Sequence, residues 1–138
     1  MAACLALGAE GINMGTRFMC TKEAPIHDNV KQALVGGDER STNLIFRTMR
    51  NTSRVFKNKI SDEVVALEKK GAAFEEVKHL VAGARGKVAM KDGNVHDGIV
   101  SAGMVIGLIK DVPTCKELIE RIVRECKEAL SSASRMAA

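Results

Sequence analysis

The run Gly8-Ala9-Glu10-Gly11-Ile12-Asn13-Met14-Gly15-Thr16-Arg17-Phe18 joins a helix stop, a short apolar stretch and a glycine turn. Gly8 suits the left-handed cap that ends a helix, because it has no Cβ to clash at positive φ. Gly11 to Gly15 is short, apolar and bounded by glycine, the pattern of a buried parallel strand that follows a helix in an αβ unit. Thr16 to Met19 then opens a turn of helix or a loop. A strand running into Gly15-Thr16 presents backbone N–H groups, and a helix starting there adds its positive end, so the turn suits an anion such as a phosphate. Gly15 leaves no side chain in the way, and the Thr16 hydroxyl can donate to a phosphate oxygen. Spacing alone leaves the plainer alternative open, that this is an ordinary strand-to-helix turn.

Upstream, Met1 to Leu7 reads as the last turns of a helix, so the chain looks truncated at its start. Downstream, Asp28 to Leu34 is helical in pattern, with Asp28 as N-cap, Val30, Ala33 and Leu34 on one side, and Gly36-Gly37 as the stop. Thr42 to Phe46 reads as a short strand. Ser61 caps a second helix whose first turn holds Asp62 and Glu63 and whose end is Lys69-Lys70-Gly71, an acidic start and a basic end that agree with the helix dipole. Phe74 to Val81 predicts a further helix, broken up by Gly83 and Gly86 before the polar turn Lys91-Asp92-Gly93-Asn94. The clearest signal comes last. Pro113 followed by Thr114-Cys115-Lys116-Glu117 makes a capping box and opens a helix to about Ser132. Cys115, Leu118, Ile119, Ile122, Val123, Cys126 and Leu130 recur on one face of it, opposite Lys116, Glu120, Arg124 and Lys127, so this helix is expected to cover something larger.

The chain has 138 residues, 46% hydrophobic and 28% charged, with no long polar tract, which is the composition of a soluble globular domain rather than a disordered one. A fold of that size buries roughly two-thirds of the surface exposed by the unfolded chain. The apolar run Met1 to Ala9 lacks a basic flank and is too short for a signal-peptide core or a membrane helix, pointing to a cytoplasmic chain without a membrane partner. Net charge is +4, but Trp and Tyr are absent and Phe numbers four, so a base-stacking platform has little material and no nucleic-acid partner is expected. Cys4, Cys20, Cys115 and Cys126 form no C-x-x-C pair and no zinc spacing, and read as buried free thiols rather than metal ligands.

His27, His79 and His96 lie in polar or turn-like surroundings without a partner carboxylate motif, and read as surface residues. Arg47, Arg50, Arg54, Lys57 and Lys59 fall in a stretch without acidic residues. Arg47, Arg50 and Arg54 recur at roughly helical spacing, so the stretch is either a phosphate-binding stripe or, more simply, a solvated face with internal ion pairs.

The opening string, continued by Thr21-Lys22-Glu23-Ala24-Pro25-Ile26-His27, resembles the segment at the last barrel strand of the nitronate monooxygenase (2-nitropropane dioxygenase-like) family, and within it the bacterial NAD(P)H:quinone reductase branch. Further strings agree in order and spacing: Arg47-Thr48-Met49-Arg50-Asn51-Thr52-Ser53-Arg54-Val55, Leu80-Val81-Ala82-Gly83-Ala84-Arg85-Gly86, and Gly98-Ile99-Val100-Ser101-Ala102-Gly103-Met104-Val105-Ile106-Gly107-Leu108-Ile109. The resemblance implies an α/β fold, the C-terminal portion of a flavin-binding TIM (β/α)8 barrel with a mainly helical inserted second domain. Residues 1–18 would be the last helix end and last strand of the barrel, 19–110 the second or lid domain, and 111–138 the final barrel helix and tail.

What the resemblance implies for function is an FMN-dependent oxidoreductase, with the phosphate between the loops after strands seven and eight. Asn13, Met14, Gly15 and Thr16 would be the cofactor-binding strand-eight half of that cradle. Ser101 and Met104 would lie on the flavin side of the second domain as substrate-pocket residues, although close helix packing is the simpler account of their small and flexible side chains. The family's catalytic histidine belongs to the first half of such proteins, so the resemblance carries no catalytic residue onto this sequence. The implied chemistry moves electrons from NAD(P)H through FMN to a quinone, or oxidises a nitronate with oxygen. The alternative is a non-catalytic helical module that assembles with a separately encoded N-terminal barrel half.

Overall fold

Over residues 1–137, the extent described by a computed structural model, the helices are α1 (Ala2–Ala6), α2 (Thr16–Met19), α3 (Asp28–Val35), α4 (Lys59–Lys69), α5 (Phe74–Val81), α6 (Gly83–Asp92) and α7 (Cys115–Ala137), with a 3-10 helix at Met104–Leu108. Strands β1 (Thr42–Ile45) and β2 (Ser53–Phe56) pair antiparallel, Thr42 opposite Phe56 and Ile45 opposite Ser53. The extended segment after α6 lies along the other side of β2. Val55 bridges Ser101 there, and the Phe56 amide donates to the Val100 carbonyl at 2.8 Å.

That segment divides the core because neighbouring residues of an extended chain point to opposite faces. Ile99 packs on the cluster of Ile45, Val55, Ile60, Val64 and Leu80, whereas Val100 joins Cys20, Val30, Leu34, Ala102, Ile106 and Ile109. One hydrogen-bonded strip thus serves two apolar clusters, and each fully buried aliphatic side chain contributes about 1.5–3 kcal/mol.

The helix boundaries follow side-chain caps, several of them different from those expected. His27, not Asp28, caps α3: its Nδ1 accepts from the Asn29 amide at 3.1 Å, an option that imidazole shares with Asx residues. Helix α4 starts at Lys59 under Asn58, whose Oδ1 accepts from the Ser61 amide, while Ser61 Oγ accepts from the Asn58 amide. Ser61 is therefore the third residue of a capping box and not its cap. The expected break occurs at Ala82–Gly83, where α5 ends and α6 begins, but Gly86 does not interrupt the helix, since α6 runs through it. Gly86 is required by packing: a Cβ there would stand 2.6 Å from the Ile99 carbonyl oxygen. The expected helical spacing of Arg47, Arg50 and Arg54 is also replaced. Arg47 and Arg50 lie in the turn after β1, and Arg54 lies within β2, where cross-strand pairing with β1 overrides the apparent helical spacing.

The expected cap at Thr114 is present, its hydroxyl accepting from the Glu117 amide and Glu117 Oε2 from the Thr114 amide. Helix α7 continues past Ser132 to Ala137, and Gly8 has a φ of +92° just beyond α1, as expected of a left-handed helix stop. Residues 11–14 have no regular secondary structure, contrary to the strand that the sequence pattern predicts. A strand is defined by its neighbours, and among the described residues no chain segment pairs with them.

Candidate functional site

The glycine turn and the Ser101–Met104 stretch, 85 or more residues apart in the chain, meet. The Gly103 amide donates to Thr16 Oγ1 at 2.9 Å. Gly15 is the N-cap of α2, and its carbonyl accepts from the Phe18 and Met19 amides. A Cβ on Gly15 would find nothing within 4 Å, so the turn is open to an approaching group. Among the described residues none accepts from the amides of Gly15, Thr16 or Arg17. With its lone pair committed to Gly103, the Thr16 hydroxyl keeps its proton for an acceptor outside the fold.

Met104 opens the 3-10 helix directly after Gly103 and is 52% exposed, beside the exposed Val105 and Leu108. An open set of donors and an apolar surface therefore adjoin through the Thr16–Gly103 contact. Ser101 is exposed and lies two residues from it, paired through its backbone with Val55. Asn13 is exposed next to the turn. Met14 departs from the group: with Ile12 it lines a separate cavity of about 310 Å³ between α1 and α7, beside Ile122, Cys126 and Ala129.

Arg17, one residue beyond the turn, fixes it to the rest of the fold. Its guanidinium donates to the Asp111 carboxylate at 2.8 Å and to the Asp111 carbonyl at 3.1 Å. Arg121 of α7 binds the second carboxylate oxygen of Asp111 at 2.6 Å. The hydrogen bond from Arg121 chiefly, then the charges of Arg121 and Arg17, hold the Asp111 carboxyl below the ordinary carboxylate range. Close by, both oxygens of Glu23 accept from the Cys115 amide at 2.9 Å, adding a distant carboxylate to the α7 start and lowering the Glu23 carboxyl pKa. The Arg17–Asp111–Arg121 clasp, the Glu23 cap and the Gly103 contact have no local motif. Each joins residues far apart in sequence, so pattern reading passes over them.

Other expected residues are placed without chemistry. His27, His79 and His96 are exposed, as read from their surroundings. Cys20 and Cys126 are buried and Cys115 is half-buried, but Cys4 is exposed on the short α1, which has too little packed against it to enclose a side chain. Burial pushes the Cys20 thiol pKa up, keeping it protonated and unreactive. A further cavity of about 400 Å³ lies away from the glycine turn, lined by Leu44, Arg47, Thr48, Val65, Glu68 and Lys69. Among the described residues no group of three or more His, Cys, Asp or Glu side chains could hold a metal, and no helix is long and apolar enough to cross a membrane.

The family model described as nitronate monooxygenase matches residues 1–125. The chain belongs to the nitronate monooxygenase family, a family of oxidoreductases. It is 31% identical to the (3aS,4S,5R,7aS)-5-hydroxy-7a-methyl-1-oxo-octahydro-1H-indene-4-carboxyl-CoA dehydrogenase of Rhodococcus jostii (strain RHA1), with 91% of this chain and 46% of that protein covered. It is 28% identical to a nitronate monooxygenase of Paraburkholderia phytofirmans, covering 94% of this chain and 35% of the relative. The structure of FabK from Thermotoga maritima superposes with a TM-score of 0.88 at 28% identity, over 97% of this chain and 42% of that one. The chain thus spans less than half the length of these relatives.

Proposed function

We propose that the chain is the C-terminal part of an FMN-dependent oxidoreductase built on a (β/α)8 barrel, with residues 1–18 from the barrel, 19–110 as a lid and 111–138 as the final helix and tail. The observation that carries this reading is the Thr16–Gly103 contact, which sets an open turn of backbone donors beside the apolar surface of Met104. The turn fits the phosphate of a flavin mononucleotide. Gly15 and Thr16 would donate amides and Thr16 its hydroxyl, with Asn13 alongside, while the Met14 side chain anchors the segment on α7. FMN, when bound, supplies the redox chemistry, and the protein binds and orients it. Met104 and Ser101 would border the substrate, a quinone or a nitronate, with NAD(P)H as electron donor in the quinone case and the cytoplasm as the site of action.

This turn offers only a few donors, so FMN binding is expected to need the barrel half that the relatives possess. The alternative, a non-catalytic module that assembles with a separately encoded barrel half, is favoured by Ile119 and Leu130, which remain exposed on the apolar face of α7. Flavin absorbance and NADH oxidation measured on the purified chain, alone and with a complementary half, separate the readings. Flavin retained on assembly, and weakened at least about tenfold by Gly15→Val or Thr16→Val but little by Thr16→Ser, is the expected result. Unchanged FMN affinity in both valine variants would overturn the assignment of the turn.

A further inference from the structure

The turn after β1 closes one side of the cavity of about 400 Å³ that Leu44, Arg47, Thr48, Val65, Glu68 and Lys69 line. The cavity holds a buried charge. Glu68 is 7% exposed, and its two carboxylate oxygens accept from the Phe46 amide and the Thr48 hydroxyl. Those bonds hold a turn in which Phe46 and Arg50 both stand at positive φ, and the Asn51 amide closes it on the Phe46 carbonyl at 3.2 Å. Left-handed backbone at residues other than glycine is costly, and it persists where the surrounding structure fixes it, often at binding sites. Leu44 of β1 and Val65 of α4 are half-buried and supply apolar walls, whereas Arg47, Thr48 and Lys69 are exposed. Neither Arg47 nor Lys69 makes an ion pair among the described residues. Because the Thr48 proton is committed to Glu68, the side-chain donors left for a ligand are Arg47 and Lys69.

We propose that this cavity binds a small organic carboxylate, its oxyanion head held by Arg47 and Lys69 and its short apolar body laid against Leu44 and Val65. Volume sets the size of the ligand, since the cavity falls at the lower end of the range of about 300–1,000 Å³ found for small-molecule sites. Charge sets the head group. Two cations and one carboxylate give the lining a single net positive charge, which a monoanion neutralises. A phosphate monoester carries a charge of about −1.5 to −2 near neutral pH and would leave the site negative. The planar fork of Arg47 matches the two oxygens of a carboxylate, and Lys69 adds a point charge beside it. The site is built from β1, the turn after it and α4, away from the glycine turn, so it needs neither a flavin nor a barrel portion to form.

Titration of the full 138-residue chain with octanoate below its micelle concentration, followed by amide and methyl chemical shifts, tests the site without reference to activity. Saturable shifts confined to residues 42–48 and 65–69 are expected, with octanol and octylammonium binding at least about tenfold more weakly. Arg47→Gln and Lys69→Gln alter exposed side chains, so each is expected to leave melting unaltered and to weaken octanoate binding about five- to tenfold. Glu68→Gln keeps an acceptor for the Phe46 amide and a partner for the Thr48 hydroxyl while leaving the lining with two net positive charges. It is expected to turn the preference from octanoate to hexyl phosphate. If that variant fails to fold, the natural chain still carries the charge test, because there octanoate is expected to bind more tightly than hexyl phosphate. Binding that does not saturate, octanol bound as tightly as octanoate, or full affinity in both Arg47→Gln and Lys69→Gln would each overturn the proposal. So would hexyl phosphate preferred by the natural chain, or shifts centred on the exposed apolar residues Met104, Ile119 or Leu130.

Discussion

Glu68 illustrates how one side chain holds a costly backbone. It is 7% exposed, its Oε2 accepts from the Phe46 amide at 2.9 Å and its Oε1 from the Thr48 hydroxyl at 3.1 Å. Phe46 sits at φ +61° and Arg50 at +53°, left-handed conformations that side chains rarely adopt and that cost about 1–3 kcal/mol each. Glu68→Ala would leave the half-buried Phe46 amide and the Thr48 hydroxyl without their acceptor, and chemical denaturation is expected to show a loss of about 1–3 kcal/mol. Asp111 provides a pH test. Its pKa is lowered in the fold, so the clasp's contribution is complete above the unfolded value of about 3.9 and is lost as pH falls through the folded value. The melting-temperature gap between the natural chain and Asp111→Asn should hold steady between about pH 7 and 5 and shrink below about pH 4. A gap independent of pH would mean that the Asp111 charge is not what stabilises the clasp.

Helix α6 holds two glycines in contrasting surroundings. Gly83 is exposed and a Cβ there meets nothing within 4 Å, whereas Gly86 faces the Ile99 backbone. Gly83→Ala is expected to raise stability by up to about 1 kcal/mol through helix propensity and reduced freedom of the unfolded chain. Gly86→Ala is expected to lower it by about 1–3 kcal/mol, because the carbonyl it would strike belongs to the strip that joins the two cores. Paired thermal melts of the two variants decide this, and equal effects would contradict the packing account. At this scale the sequence was legible where elements carry local signals. The Thr114–Glu117 box opens α7 as expected, Gly36 ends α3 and Gly8 closes α1. Strand β2 was missed because its residues alternate too little and Arg54 continues the apparent helix period of Arg47 and Arg50 in the preceding turn, while pairing with Thr42–Ile45 imposes the strand.

Across the molecule, two apolar clusters share the 99–102 strip, and the surface formed by α1, residues 10–14 and α7 stands apart from both. Folding of the chain and its assembly should therefore be separable. Ile119→Lys is expected to change the stability of the free chain by less than about 0.5 kcal/mol, because Ile119 is already half exposed, yet to weaken pairing with a complementary barrel portion. Size-exclusion chromatography of the two pieces, with melting of the chain alone, measures both effects. Loss of stability in the free chain would show that α7 is held more tightly than its exposure implies.

By itself the sequence determined the helices that carry caps and apolar periods, and the family through separated strings of matching residues. These features are local, set by the rotamers, hydrogen-bonding groups and φ preferences of neighbouring residues. Only the tertiary structure brought Gly103 to Thr16, closed Asp111 between Arg17 and Arg121, and left residues 11–14 without a ladder. The physical reason is that such contacts join residues far apart in the chain, and a strand requires backbone partners that no local pattern can supply.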